Sequence, residues 1–410
     1  MKTLLFAPAA YNLAETTRML AVARACREAF DCVFLTFGGQ FEPLIQAAGF
    51  PVHRLEPNLT GEKIEHIYKV DKGEKLGTMF TSDEVAARVQ SELVLYERLQ
   101  PAAAITGFNL TVPLSTRIHG VPLVWVIQST WLPESGLGLI PPGMWKPLKP
   151  LARALFAAAV ALFSKPVLLN PINRVAKRYG VRPFHSVFDF WRGDETLLAE
   201  PPEFGGIAQL PPRHHYIGPL IAQEDFPIPP EVANMRGDLP LIYFAMGSSG
   251  TPEIVAEILR GFAGAPYRVI APVKAHIEKL HVTLPENVIV TGWLPAHKVN
   301  AMADISVIHG GIGTVMTAAL AGKPVVGMGM MAEQDANLEC LVRLGFAIRV
   351  PKGKANAPRV LAAINKLLHD ETAKQKARDF AAVVAQWDGP SRAAQFLNET
   401  YGGERERHVS

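Results

Sequence analysis

Six residues, His309-Gly310-Gly311-Ile312-Gly313-Thr314, lie between an apolar run, Asp304–Ile308, and an alanine-rich segment, Val315–Ala321. The first is predicted as a buried strand and the second as a helix. Three glycines at the junction let the backbone turn sharply and bring N–H groups close to a ligand. The helix that follows adds unpaired donors and the positive end of a dipole, a combination suited to phosphate. Thr314 can cap that helix or donate to a phosphate oxygen. His309, at the strand end, can donate to the same charge. A plain strand–helix turn with a satisfied histidine would look the same, so the neighbouring residues decide.

Gly322-Lys323-Pro324 ends the helix, Val325–Met328 is the next expected strand, and Glu333-Gln334-Asp335-Ala336-Asn337 follows it. Polar groups at the carboxyl end of a parallel strand face the crevice where open α/β sheets bind ligands. Glu333 and Gln334 there offer a carboxylate and an amide to sugar hydroxyls. Upstream, Gly292-Trp293-Leu294-Pro295 ends another strand, and Trp293 offers a face for a base to stack on. Gly247-Ser248-Ser249-Gly250 is a second small-residue turn before a helix starting near Pro252, and Ser248 can reach the same phosphate or act as an N-cap.

The elements that must position these groups alternate along the chain. Leu4–Ala7, Cys32–Thr36, Ala103–Thr106 and Leu123–Ile127 are short apolar strands, with helices over Thr16–Ala29 and Phe41–Ala48. Residues 55–100 are more polar and helical, as expected of an insertion that shapes a pocket. Prolines dominate from Pro201 to Pro240, a composition suited to a linker. A second series follows: Leu241–Ala245, Arg268–Ala271, Val288–Val290, Ile305–Ile308 and Val325–Met328. This rhythm predicts an α/β protein with two parallel sheets, each covered by helices. The expected divisions are 1–218, 219–385, and 386–410 for a final helix and a charged tail.

Composition narrows the function. A chain of 410 residues, 49% hydrophobic, divides naturally into two cores. Its net charge of +3 is too small to argue for nucleic acid. Cys26, Cys32 and Cys340 lack metal-ligand spacing and suit free thiols in a reducing cytoplasm. The apolar start breaks at Pro8, which favours a first strand over a signal peptide.

The order Trp293-x-Pro295, His309-Gly-Gly-x-Gly-Thr314, Gly322-x-Pro324 and Glu333-Gln334-x-x-Asn337 resembles the donor-binding signature of family 1 glycosyltransferases. Phe188–Trp191 through Tyr216-Ile217-Gly218-Pro219-Leu220 is similar to the linker approach of bacterial, macrolide-type members. Gly389-Pro390-Ser391-Arg392-Ala393-Ala394 resembles their last helix, which crosses back to the N-terminal domain. The resemblance implies the GT-B fold, two Rossmann-like domains facing across a cleft. It also implies inverting, metal-free transfer of a sugar from a nucleotide diphosphate, UDP- or dTDP-linked, to an acceptor hydroxyl. Gly311, Gly313 and Thr314, with His309 and Ser248, would then hold the diphosphate.

Three departures stand out. The family's general base is a His in the first βα loop, and alignment puts Glu15 at that position. A buried carboxylate of raised pKa can take the proton instead; otherwise Glu15 merely complements a helix dipole. The family's helper Asp falls near Gly107 in Thr106-Gly107-Phe108-Asn109, and Asn109 is a candidate to orient Glu15 or an acceptor hydroxyl, or else a plain turn former. The Glu that grips the ribose is replaced by Thr317, and the Gln after Trp-x-Pro by Ala296.

For the acceptor, Trp125, Gln128 and Trp131 near the end of a strand are candidates. Leu151–Phe163 is nearly all apolar and flanked by Trp145, Lys146, Lys149 and Arg153. It is too short to span a bilayer, which needs about 20 residues. It suits either an interfacial surface for a lipid-linked acceptor or a buried helix beside a hydrophobic pocket. The expected location is the cytoplasm, with peripheral contact at the inner membrane face. Two alternatives stay open: a non-catalytic nucleotide-sugar-binding member, and a GT-B epimerase or hydrolase that acts on donor alone.

Overall fold

The computed structural model describes residues 1–71, 74–135, 155, 158–162, 164–221, 227–235, 237–247 and 250–403. Ser248 and most of the 151–163 segment, with Trp145, Lys146, Lys149 and Arg153, lie outside them.

Among the described residues, β1 (Lys2–Phe6), β2 (Phe30–Thr36), β3 (Val52–Arg54), β4 (Ala103–Thr106), β5 (Leu123–Ile127), β6 (Glu195–Leu198) and β7 (His214–Tyr216) form one sheet, ordered β3-β2-β1-β4-β5-β6-β7. A second sheet contains β8 (Leu241–Ala245), β9 (Arg268–Ala271), β10 (Val288–Val290), β11 (Ile305–Ile308), β12 (Val325–Gly327) and β13 (Ala347–Arg349), ordered β10-β9-β8-β11-β12-β13. Every strand pairing is parallel. The fold is the expected α/β pair of doubly wound sheets.

The strands expected from apolar runs are all present, whereas β3, β6, β7 and β13 were not expected. The reason is physical: β3, β7 and β13 are three-residue edge strands, and β3, β6 and β7 carry charged or histidine side chains that hide the apolar signal. The proline-rich stretch is therefore more than a linker, because β7 completes the first sheet within it.

The chain between the sheets is fixed by contacts that exclude side chains. A Cβ on Gly389 would lie 2.2 Å from Pro219 O, and one on Gly218, whose φ is +89°, would lie 2.5 Å from Trp387 Cβ. This close approach launches the helix Gly389–Leu397 back onto the first domain, beside the helix Leu13–Cys26. Ala393 and Leu397 there are fully enclosed with Leu4, Phe6, Met19 and Phe34. The three cysteines are free and buried. Among the described residues no helix is long and apolar enough to cross a membrane.

Both sheets reverse their winding beside their first strand, between β1 and β4 and between β8 and β11. At such a point the crossovers diverge to opposite faces and leave a crevice at the carboxyl ends of the strands. Each sheet therefore brings one ligand-binding crevice.

Leu397→Ala should destabilise the first domain by about 2–5 kcal/mol, the usual cost of truncating an enclosed leucine. Denaturant unfolding of the full chain measures it; a change under about 0.5 kcal/mol would mean that the last helix is not part of that core.

Candidate active site

The first crevice holds Glu15. Asn12 caps the helix Leu13–Cys26 by accepting the Glu15 N–H at 3.3 Å, so the Glu15 carboxylate is not needed as a cap. It turns instead across the gap between β1 and β4, where its Oε1 accepts the Gly107 N–H at 2.7 Å. The Phe108 N–H also bonds to it. Arg18 Nη1 lies 4.0 Å from Oε2 and donates to Val126 O at 3.0 Å. A Cβ on Gly107 would come within 2.3 Å of Oε2 and 2.8 Å of Oε1. The carboxylate thus fills the space that a side chain at position 107 would take. Burial raises the Glu15 pKa; Arg18 and the two N–H groups oppose it, and burial prevails.

Asn109 does not orient Glu15. Its Oδ1 accepts the Thr111 N–H at 3.3 Å and hydroxyl at 3.2 Å, closing a local turn, and an Arg88 N–H at 3.5 Å. Backbone amides do the work that was expected of its side chain.

The second crevice holds His309, which follows β11. Its Nδ1 lies 3.4 Å from Ala245 O at the end of β8, so the ring bridges the reversal of the second sheet. Carbonyls only accept, so Nδ1 carries the proton of the neutral ring and Nε2 faces outward as an acceptor. Two glycines house this ring. A Cβ on Gly247 would lie 2.5 Å from Cε1, and one on Gly311 2.7 Å from Nε2. Burial pushes the His309 pKa down to about 4; the Ala245 bond opposes this and His276 adds to it. His276, on the neighbouring helix Lys274–Ile277, carries no signature spacing and escaped the sequence reading.

The helix Ile312–Leu320 begins after Gly311 with no side-chain cap. Thr314 is its third residue and does not cap it; a helix start without a side-chain cap among the described residues suits an anion. Gly313 has open space around it. The Thr317 hydroxyl donates to Gly313 O at 2.7 Å, within its own helix. Trp293 remains 54% exposed.

The two crevices meet through the loop after β5. Gln128 Nε2 donates to Glu333 Oε1 at 2.6 Å, and Thr130 Oγ1 donates to Asn337 Oδ1 at 2.8 Å. Asn337 Nδ2 donates to Gly310 O at 3.0 Å, and Gln334 Oε1 accepts the Met330 N–H at 2.9 Å. Burial pushes the Glu333 pKa up to about 7; Asp71 and Glu15 add to it, while Arg18 and Gln128 oppose it. That Glu15, Arg18 and Asp71 reach Glu333 electrostatically places both crevices on one cleft. Gln128, expected on the acceptor side, is thus a contact between domains.

Trp125 was also expected on the acceptor side, but it is the middle residue of β5, fully enclosed and edge-on to Phe190. The strand reaches two residues beyond it, so its ring lies under the sheet end rather than at it. Trp131 packs against Trp191 at 4.9 Å and edge-on to Phe108 at 5.9 Å. Phe108 in turn lines a small pocket at the ends of β1, β2 and β4, with room for about one water. Among the described residues no group of three or more His, Cys, Asp or Glu side chains converges as a metal site.

Comparison with known proteins finds similarity to glycosyltransferases. Residues 257–399 match the family described as Erythromycin biosynthesis protein CIII-like, C-terminal domain. A PGL/p-HBAD biosynthesis glycosyltransferase of Mycobacterium tuberculosis is 25% identical over 389 residues, covering 92% of this chain and 87% of its own. A PGL/p-HBAD biosynthesis rhamnosyltransferase of Mycobacterium bovis is 23% identical over 389 residues, covering 93% and 84%. The structure of a Streptomyces glycosyltransferase complexed with thymidine diphosphate superposes with a TM-score of 0.67 at 17% identity, covering 97% of this chain and 100% of that one.

Gly311→Ala should displace the His309 ring and weaken dTDP binding as much as His309→Ala does, by roughly 10- to 100-fold for a charge-assisted bond. The double variant should be no worse than either. An anion at Nε2 must also raise the free His309 pKa of about 4, so binding takes up a proton and weakens as pH rises through the bound-state value. Calorimetry in buffers of different ionisation enthalpy reads this uptake; equal uptake by wild type and His309→Ala would remove His309 from the phosphate site.

Proposed function

We propose that this chain, a family 1 glycosyltransferase with the GT-B fold, is an inverting enzyme that needs no metal. The proposed donor is a UDP- or dTDP-sugar, and the acceptor a hydroxyl on a hydrophobic small molecule or lipid-linked compound. The observation that carries this reading is the pairing of the two crevices: a buried carboxylate at one reversal, an uncapped helix start with His309 at the other, and one cleft between.

In this mechanism Glu15 takes the proton of the acceptor hydroxyl as its oxygen attacks the anomeric carbon. The bond from that carbon to the diphosphate oxygen breaks on the opposite face, which inverts the centre. The electron pair leaves on the diphosphate, where the amides after Gly311, Thr314 and protonated His309 balance its charge. Those fixed donors supply the stabilisation that a cation would otherwise give. Trp293 stacks the base, and Glu333 and Gln334 orient the sugar. Support for a thymidine nucleotide comes from the complexed Streptomyces neighbour, and support for a hydrophobic acceptor from the aromatic side chains beside Glu15, Phe108 and Trp131. We place the enzyme in the cytoplasm with peripheral membrane contact. Leu155 and Leu162, both largely exposed, support that contact, and sedimentation with anionic liposomes tests it.

A second reading is favoured by two hydrogen bonds. Glu333 is already engaged by Gln128, and Thr317 by Gly313 O, so a non-catalytic nucleotide-sugar binder has the same features. Donor binding without turnover across a wide acceptor panel would establish it.

Glu15→Gln should keep dTDP binding and lose about 10²–10⁴ in kcat, the usual contribution of a general base. Gly107→Ala, which drives a methyl into that carboxylate, should lose kcat in the same direction. In the wild type, kcat/KM should fall as pH drops through the raised Glu15 pKa, so the acid limb lies above the ordinary carboxylate range. Unchanged turnover in Glu15→Gln would rule Glu15 out as the base, and NMR of the product decides inversion.

A further inference from the structure

Glu200, two residues beyond β6, is fully buried. Its Oε1 accepts both the N–H of Ser129, at 3.1 Å, and the Ser129 hydroxyl. Gly205 leaves the room for that hydroxyl, since a Cβ there would collide with it. Glu200 Oε2 is buried with no hydrogen-bond partner, and so is the Tyr216 hydroxyl from β7. Ser129 stands between Gln128 and Thr130, so the carboxyl also fixes the turn from which those two reach Glu333 and Asn337.

The second domain closes over this group with one helix. Along Ala332–Leu344 the residues Glu333, Asn337, Cys340 and Arg343 recur every three or four positions and so share a face. Glu333 and Asn337 meet the turn at Gln128 and Thr130. Arg343 donates to Glu203 O at 3.0 Å and to Phe204 O, and Cys340 interacts electrostatically with Glu200. Phe204, on the helix Pro202–Gly205, is enclosed in the core of the second domain. The charged and titratable groups around Glu200 are Arg18 from the helix Leu13–Cys26, Tyr216 from β7, Glu203 from Pro202–Gly205, and Cys340 and Arg343 from the second domain. Among the described residues none of them bonds its Oε2. Burial pushes the Glu200 pKa up to about 7, while the two Ser129 bonds and Arg18 oppose it. A neutral carboxyl is tolerated there far better than a carboxylate with an unmet oxygen.

We propose that Glu200 is a proton-gated latch between the domains: protonated, it lies sealed under the helix Ala332–Leu344, and ionised, it parts that helix from the turn at Ser129. Burial sets the sign. Opening returns Glu200 to water and to the ordinary carboxylate value of 4.5, so the closed form holds the proton more tightly. The closed-to-open ratio therefore falls as pH rises from about 4.5 and levels off above about 7. The latch does not depend on what the cleft binds, and its test needs no substrate.

Cys340 reports the opening, because it is fully buried at the seam and meets a thiol reagent only when the halves part. N-ethylmaleimide labelling of the full chain is mapped by peptide mass spectrometry and divided at each pH by the rate of the same peptide free in solution. The corrected rate at Cys340 should rise about tenfold or more between about pH 5 and about pH 8. Cys26 and Cys32, buried in the first domain, should show no such rise. Glu200→Gln, neutral and of the same shape, should remove more than half of the rise on a logarithmic scale. Glu333→Gln, which neutralises the other buried carboxyl on the seam, should remove less than half. A flat wild type, a rise mostly kept in Glu200→Gln or mostly lost in Glu333→Gln, or a parallel rise at all three cysteines, which would mean general unfolding, would overturn the proposal. Should Glu200→Gln fail to fold, as read by thermal unfolding, Ser129→Ala serves instead. It deletes a bond that favours the charged carboxyl, so the rise should move to higher pH, and an unmoved rise there also overturns the proposal.

Discussion

A parallel strand flanked by crossovers that diverge to opposite faces ends in a gap, and backbone N–H and C=O groups exposed there must find partners. Both sheets of this protein meet that constraint beside their first strand, and both meet it with a side chain from the other wall. In the first, the Glu15 carboxylate crosses from the first turn of the helix after β1 to the amide after β4. In the second, the His309 ring crosses from the end of β11 to the carbonyl that ends β8. One bridging group is an acid and the other a base, each buried, and each shifted in pKa towards its neutral form. The chemistry of the cleft follows from these two bridges.

Glycine makes both bridges fit. At position 107 the missing side chain is what admits the Glu15 carboxylate, and at 247 and 311 missing side chains admit the imidazole. The same device joins the domains, where Gly218 and Gly389 allow the linker and the last helix to touch. In each case a neighbouring group, a side chain at all but Gly389, lies where a methyl group would collide. The freedom is in the space left open more than in the torsion angles, since Gly107 and Gly311 do not have positive φ.

Much of this was legible in the chain itself. Buried parallel strands announce themselves as apolar runs, and the glycine-rich turn before Ile312 has a spacing that few other structures need. The short edge strands were hidden by their histidines and charges. Two functional expectations went astray for one reason: a strand end read from sequence gives no direction. Trp125 lies in the core and Gln128 reaches the other domain, although three residues separate them. Asn109 was assigned to Glu15 because it stands two residues after Gly107, the aligned position of the family's helper Asp, while backbone amides took that place.

The hydrogen bond from Gln128 to Glu333 joins the residue proposed to orient the sugar to the opposite domain. The empty cleft therefore satisfies itself. A sugar that binds Glu333 competes with the contact that holds the two halves in register, so its affinity and the angle between the halves are linked quantities. By reciprocity, whatever loosens the halves strengthens the sugar's hold on Glu333, and a bound sugar loosens the halves to the same degree. The angle between the halves is thus tied to the site proposed for the sugar as much as to the linker.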